Sequence, residues 1–359
     1  MANISKIKDN STGIVYDIED TVARTQAMPP SVKRALDEML QNVVFKDTDI
    51  YTDELATFHA WATSINLISI SAVYVQSITI TNRDSLDDLK NDLVVTATYD
   101  DGTTAPITGY TLAGSLTSGT STITVEYEDK SDSFTVNVTG VSVPSTYTEY
   151  DYMMVTSDQY SKAKSTWMRL KTYTDLNALS CDMKFKSLSS HYDGGAMIGH
   201  RSESGSAKSF AIYAGDNLVG YHLHGADGGA IGRTIPAMED QIHVVRYKNT
   251  SQSPSTLTVD STTIDITWVN NNVLNLDPVL FTNPIGEGTI NIIAFNQVGY
   301  VKFYDLQGNL VGFYVPVVRT ADNVIGMYEM VEQTFYTTSD SSVSTIGNSG
   351  CFYTVGNWS

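Results

Sequence analysis

The run Leu93-Val94-Val95-Thr96-Ala97-Thr98-Tyr99 constrains this chain more than any other stretch, because large apolar and small residues alternate until Asp100-Asp101-Gly102 ends the pattern. A period of two fits a strand with one buried face and cannot hold a helix stripe together. The pattern recurs on both sides. Ile68, Ile70, Val73, Val75, Ile78 and Ile80 precede it; Ile123, Val125 and Tyr127 lead into the turn Glu128-Asp129-Lys130-Ser131, and Phe134, Val136 and Val138 lead out. Short alternating strands with turn signals about every eight to twelve residues build two antiparallel sheets over one core. The expectation for 66–140 is an immunoglobulin-like β-sandwich.

A second β region closes the chain. Val301, Phe303 and Tyr304 lead into Asp305-Leu306-Gln307-Gly308-Asn309, and Leu310, Val311, Phe313 and Tyr314 lead out, so 301–314 predicts a hairpin whose Gly308-Asn309 supplies positive φ. Pro316 lacks a ladder donor and is expected to bend the chain away. Val324, Ile325, Met327, Tyr328, Val331, Phe335 and Tyr336 then read as two short strands around Glu329-Met330. Ser142-Val143-Pro144-Ser145-Thr146 reads as the linker between the two β regions.

Upstream, Ile4, Ile7, Ile14, Tyr16 and Ile18 alternate around Asp9-Asn10-Ser11-Thr12-Gly13. This predicts a small hairpin, either a cap on the next domain or an anchor adding strands to a partner, because an isolated ribbon is marginal in water. After Pro29-Pro30, Ser31 caps a predicted helix with Val32, Leu36, Met39, Leu40 and Val43 on one stripe. A second helix follows from Thr52, with Leu55, Phe58, Ala62 and Ile65 on one face. Such a helical hairpin lies on the following sheet or packs against copies of itself around a symmetry axis; self-association is the preferred reading. The expected division is therefore 1–28 anchor, 29–65 helical hairpin, 66–140 immunoglobulin-like domain and 145–359 distal sandwich.

Composition narrows the function. With 359 residues there is room for several cores, yet only 17% are charged and the net charge is −18. That balance argues against sequence-independent nucleic-acid binding, which needs Lys and Arg to neutralise phosphates. The excess runs −1 over 1–45, −10 over 46–140 and −7 over 141–359, so no single acidic tail accounts for it. Cys181 and Cys351 have no metal or redox spacing and are expected as free thiols. The opening MANISKIKDN has no apolar signal core, and no run reaches the ~18 apolar residues of a membrane span.

Two resemblances follow from these residues. Ala97-Thr98-Tyr99-Asp100-Asp101-Gly102-Thr103, Gly109-Tyr110-Thr111-Leu112, Gly119–Val125 and Phe134–Val138 are similar to bacterial immunoglobulin-like domains of surface and phage proteins. The ending from Tyr304 to Thr337, with Gly308-Asn309-Leu310-Val311, Val315-Pro316-Val317 and Asp322-Asn323-Val324-Ile325-Gly326-Met327-Tyr328-Glu329, resembles C-terminal laminin-G/concanavalin-A-like modules of phage and prophage virion proteins from gut bacteria. The N-terminal Ile4-Ser5-Lys6-Ile7-Lys8 and Tyr16–Arg24 resemble the openings of phage fibre and appendage proteins that dock onto the virion. These resemblances imply a virion-surface structural protein, a head or tail fibre, assembled in the host cytoplasm. It would be anchored on capsid or tail proteins, homotrimeric or alternatively dimeric, and would attach to host-surface or mucus glycans. A bacterial surface adhesin and a decoration protein without binding activity are the competing classes.

Candidate binding residues are chosen by type. A weak glycan site needs aromatic faces for sugar C–H surfaces and polar groups for hydroxyls, and Trp167, Tyr221, His222, His224, Trp268 and Asn270 supply those types. His222 and His224 share one strand face, and His200 or Asp227 could approach as a third metal ligand. Gly-rich turns explain Asp193-Gly194-Gly195 and Asp227-Gly228-Gly229 without calcium, and no metal or other cofactor is expected. Nothing matches G-x-S-x-G, a phosphate loop or H-E-x-x-H, so the expectation is a protein that is not an enzyme.

Overall fold

The structure is a computed structural model, and it describes residues 6–8, 15–17, 66–156, 164–188, 195–201, 209–215, 217–224, 230–249, 255–266, 275, 277–285, 289–293, 296–349 and 351–358. The predicted helical hairpin at 29–65 lies outside these residues. At the N-terminus β1 (Lys6–Lys8) pairs antiparallel with β2 (Val15–Asp17), as the alternation predicts. The chain divides into two compact units, the first ending at Val138 and the second comprising Ser77–Thr79 and Thr139–Ser359.

In the first unit β3 (Leu67–Tyr74), β5 (Leu93–Tyr99) and β6 (Thr104–Pro106) form one sheet. The strands β4 (Ile80–Thr81), β7 (Thr111–Ala113), β8 (Gly119–Tyr127) and β9 (Lys130–Thr139) form the other. Alternation in β5 is realised residue by residue: Leu93, Val95, Ala97 and Tyr99 are buried, while Val94 is 59% exposed. Phe134, Val136 and Val138 of β9 are buried opposite, and Tyr74 stacks on Phe134 at 4.8 Å between centroids. The β8–β9 loop is Glu128-Asp129 alone, with Glu128 at φ 52°. The free edge of β3 is closed by side chains: Asp132 accepts from Ala72 N at 2.7 Å, and Gln76 exchanges two hydrogen bonds with the Asn137 backbone. An edge so occupied offers little to a foreign strand.

The second unit opens with β10 (Tyr147–Glu149) and β11 (Tyr152–Val155), then β12 (Ser180–Lys186), β13 (Gly195–Arg201), β14 (Ser209–Gly215), β15 (Leu218–His224) and β16 (Ala230–Pro236). It continues through β17 (Ile242–Lys248), β18 (Ser255–Val259), β19 (Thr262–Ile266), β20 (Val279–Leu280), β21 (Thr282–Ile285) and β22 (Thr289–Ile293). It ends with β23 (Gln297–Tyr304), β24 (Leu310–Arg319), β25 (Val324–Glu329), β26 (Thr334–Tyr336) and β27 (Tyr353–Gly356). The principal sheet has the order β19-β18-β17-β12-β23-β24-β25-β26, extended by β10, β11 and β27; the second has β16-β15-β14-β13-β21-β22, with β20 on β13. One core joins them: Met183, Phe185, Val245, Leu257, Val301 and Tyr314 from the first meet Met197, Ile198, Ile212, Val219 and Ile235 from the second. The fold is the mainly β arrangement expected, a smaller sandwich followed by a larger one.

The closing hairpin forms as read, with Asp305 N donating to the Asn309 carbonyl at 2.9 Å and Gly308 at φ +81°. Pro316 departs from expectation: β24 runs straight through it to Arg319, pairing Pro316 with Met327. The reason is positional. Its carbonyl accepts from Tyr150 N at 3.0 Å, and a residue's N–H and C=O point to the same side of a strand. The missing donor therefore falls where β24 changes partner from β23 to β10, and no ladder bond is lost there.

The expected linker is also more than a tether. Val141 is 8% exposed and, with Val143 and Tyr147, covers Phe313, Val315, Val317, Tyr328 and Met330 on the outer face of the principal sheet. Tyr147 meets Tyr328 at 4.9 Å and Phe335 at 5.2 Å between ring centroids. On the inner face the hydroxyls of Tyr173 and Tyr314 share a buried hydrogen bond of 2.9 Å, and Tyr314 also accepts from the Lys171 backbone. Burial first, then each other's proximity and the nearby Glu329, pushes the Tyr173 phenol far above its ordinary range. Tyr173→Phe or Tyr314→Phe should each cost about 1–3 kcal/mol by orphaning a buried hydroxyl. In denaturant unfolding the double variant should lose clearly less than the sum; simple additivity would show that the pair does not act as one unit.

Candidate functional site

The structure brings together residues that the sequence keeps far apart. An open pocket of about 410 Å³ lies where Lys171–Asp175 and Ala178-Leu179 meet the β23–β24 hairpin at Asp305-Leu306-Gln307 and Val311. Its floor is firm, because Tyr173 and Leu179 are 6% and 7% exposed and belong to the core. Its rim is polar: Thr172, Thr174, Asp175 and Gln307 present hydroxyl, carboxylate and amide groups, with exposed Leu306 between them. Lys171 closes one side, its ammonium ion-paired with Glu332 and lying 5.5 Å from the centre of the Tyr173 ring. Hydroxyl and amide groups over an apolar floor can hold a small polyhydroxylated ligand, since such a site fixes orientation with a few polar contacts.

The hairpin wall is preorganised by Asp305. Its carboxylate accepts from Gln307 N at 2.9 Å, Asn309 N at 2.8 Å and Asn309 Nδ2 at 2.9 Å. Partial desolvation pushes the carboxyl up, but the bonds from Asn309, Gln307 and Gly308 outweigh it and hold the group below the ordinary carboxylate value.

A second aromatic feature sits at the end of the chain. Trp358 stacks with Tyr152 at 5.9 Å and 25°, donates from Nε1 to Gln297 Oε1 at 2.8 Å, and donates from its backbone N to Asp151 Oδ2 at 3.0 Å. Gly299 makes room for it, since a Cβ there would stand 2.6 Å from the indole. The Lys184 ammonium lies 4.8 Å from the centre of the Trp358 ring.

The residues chosen by type fare differently. Trp167 is 3% exposed and part of the sandwich core, so it is no surface aromatic; Arg169 stacks on its ring at 4.9 Å. Tyr221, His222 and His224 lie on β15, with Tyr221 opposite Arg233 and His222 opposite Gly232 on β16. Trp268 and Asn270 lie outside the described residues, as do Asp193-Gly194 and Asp227–Gly229. His200, considered as a third ligand, is 1% exposed, and its Nδ1 lies 2.5 Å from the Asp277 carbonyl. Asp277 in turn pairs with Arg169 at 3.0 Å. Among the described residues no group of three or more His, Cys, Asp or Glu side chains converges to hold a metal, and no helix is long and apolar enough to cross a membrane. Cys181 is buried, where desolvation pushes its thiol up, and Cys351 is half-buried; neither is linked.

Comparison with known proteins places the first unit. The family model for a bacterial Ig-like domain (group 3) matches residues 76–138. No curated protein sequence matches the chain. Among solved structures, domains LG4-5 of the mouse laminin alpha1 chain are similar at 12% identity, covering 69% of this chain and 84% of that one with a TM-score of 0.32. The receptor binding domain of botulinum neurotoxin D is similar at 8% identity, with 66% and 63% covered and a TM-score of 0.30. The binding domain of botulinum neurotoxin DC, in complex with SialylT, is similar at 11% identity, with 64% and 46% covered and a TM-score of 0.26. This chain thus spans less than two thirds of either toxin structure.

A carboxylate held below its ordinary value contributes stability that is complete above that value and is lost as pH falls through the folded one. Asp305→Asn should therefore lower Tm at pH 7, and the gap to the unaltered protein should narrow as pH falls below the ordinary carboxylate value and through the lower folded one. Thermal unfolding across pH checks this; a gap that stays constant into acid would mean that the Asp305 charge does not hold the hairpin.

Proposed function

We propose that this protein is an adhesin-like attachment protein, in which an immunoglobulin-like unit acts as spacer and the larger sandwich carries a carbohydrate site, with no catalytic step. The match of residues 76–138 to a bacterial Ig-like domain carries the reading of a modular surface protein. The pocket supports the carbohydrate part, because Thr172, Thr174, Asp175 and Gln307 offer hydrogen-bonding groups suited to sugar hydroxyls beside the apolar surface of Leu306.

The finer form of the proposal is a bacteriophage virion appendage, a head or tail fibre. It would be held on capsid or tail proteins through the N-terminal ribbon and displayed as a homotrimer. The antiparallel pairing of Lys6–Lys8 with Val15–Asp17 supports the ribbon, and its resemblance to fibre openings supports the anchor. Single-site affinity is weak in this scheme, and several copies on one particle supply avidity.

The intact chain, displayed multivalently on a glycan array and on host cells, should bind a restricted set of sugars. Thr174→Trp, which fills the pocket from its exposed rim, should reduce that binding about tenfold or more at unchanged Tm. Binding that is absent throughout would remove the attachment reading; binding indifferent to Thr174→Trp would remove the pocket. Antibody labelling of purified particles under the electron microscope tests the virion form, and unlabelled particles would overturn it.

A further inference from the structure

The outer face of the principal sheet carries charge in an order that only the strand register reveals. Residues whose neighbours Cys181, Met183, Phe185, Val245 and Tyr247 point into the core must point outward, so Asp182, Lys184 and Lys186 of β12 share a face with Val244, Arg246 and Lys248 of β17. Pairing sets Lys186 opposite Ile242, Lys184 opposite Val244 and Asp182 opposite Arg246, with Lys248 one row further on. Successive rows therefore carry Lys186, Lys184, Arg246 and Lys248, with Arg246 paired to Asp182 inside its own row. At ~6.8 Å between alternate residues along a strand, the track runs about 20 Å.

Acidic groups on this face are few. Asp182 is engaged by Arg246 at 3.3 Å, Asp260 by His243 and the Val244 N–H, and Asp151 accepts from Trp358 N, while Asp265 stands out on the edge strand β19, opposite Thr256. Among the described residues Lys184, Lys186 and Lys248 have no carboxylate partner. In a chain of net charge −18 these three lysines are a local concentration of positive charge, and they sit beside the Trp358–Tyr152 stack and the amide of Gln297.

We propose that this cationic track binds an acidic polysaccharide, a polymer whose carboxylate or sulfate groups meet Lys186, Lys184 and Lys248 along the strip. This deepens the attachment reading and rests on it. Charge complementarity argues for a polyanion, and the length of the strip argues for a polymer over a single anion. The carbohydrate reading above argues for a sugar polymer, and Trp358, stacked on Tyr152 with the Lys184 ammonium over its ring, fixes where that cation stands. The acidic remainder of the chain opposes any polyanion alike, so double-stranded DNA serves as the competitor that separates a sugar polymer from charge alone.

The test measures binding of the intact chain to immobilised polygalacturonate and dextran sulfate, with neutral dextran as control and double-stranded DNA as competitor. Acidic polymers should be retained and neutral dextran should not, with binding weakening as salt rises from 50 to 300 mM, a range over which screening lengths shorten to about 6 Å. Lys184→Glu with Lys186→Glu should reduce binding about tenfold or more, while Lys184→Arg with Lys186→Arg should keep it. Four results would overturn the proposal. These are retention unaffected by charge reversal, equal retention of neutral dextran, complete displacement by DNA at equal charge, and charge reversal that dissociates an oligomer in sedimentation, which would make the face a contact between copies. If some neutral sugar binds through the pocket while the acidic polymers do not, this inference fails and the attachment reading survives. If no glycan of either kind binds, both fail.

Discussion

The larger sandwich depends on two strands that cannot tolerate water on either side. In β24 the residues from Gly312 to Val318 are all buried, and so is the whole of β25. Alternation makes this a demand for two cores. Tyr314, Val318, Ile325 and Met327 face the second sheet, whereas Phe313, Val315, Val317 and Tyr328 face outward and need a separate cover. Each such side chain left exposed would forgo about 1.5–3 kcal/mol of burial. The segment from Val141 to Tyr147 supplies the cover, and β10 then pairs with the end of β24. Here the connecting residues are structural in the same sense as the strands.

That cover divides the outer face of one sheet into two regimes. On the β24–β26 side apolar and aromatic residues are sealed; on the β12–β17 side charged and polar residues remain at the surface. Lys302 marks the border. It pairs with Asp182 on one flank and Phe313 on the other, is only 2% exposed, and holds its ammonium 4.5 Å from the centre of the Phe313 ring and 5.1 Å from that of Tyr300. An ammonium so placed keeps electrostatic company from ring faces as it leaves water. The same sheet can then serve as scaffold at one end and as an attachment surface at the other, with the rigidity of the first orienting the side chains of the second.

Much of the fold was legible because period two is a local property. Leu93–Tyr99, the β8–β9 hairpin and the Gly308 turn are each written in about a dozen consecutive residues, and the structure realises them. What misled were residues whose role is decided by partners distant in sequence. Pro316 looked like a breaker because its neighbours on both flanks, and the changeover between them, are invisible locally. Trp167 was a candidate sugar-binding aromatic, yet 278–280 pairs with 168–170 beside it and the indole is part of the core, 3% exposed. The pocket joins 171–179 to 305–311, and the cationic track exists only once β12 and β17 are in register. Lys184 and Lys186 read alone are two ordinary strand lysines. Trp358 carried a signal that could have been noticed, an aromatic beside the apolar-polar run of β27, but its partners Tyr152 and Gln297 could not.

The division of the principal sheet's outer face into a sealed and an open half is the claim on which the proposed cationic surface rests. Lysine labelling of the intact folded chain with an amine-reactive reagent, read peptide by peptide in a mass spectrometer, tests it most directly. Lys248 should react at the rate of exposed lysine and the half-buried Lys184 and Lys186 more slowly but in the native state, while Lys302 stays protected until the protein unfolds. Labelling of Lys302 as fast as Lys184 in the native state would contradict the account, because the outer face would then be open from end to end.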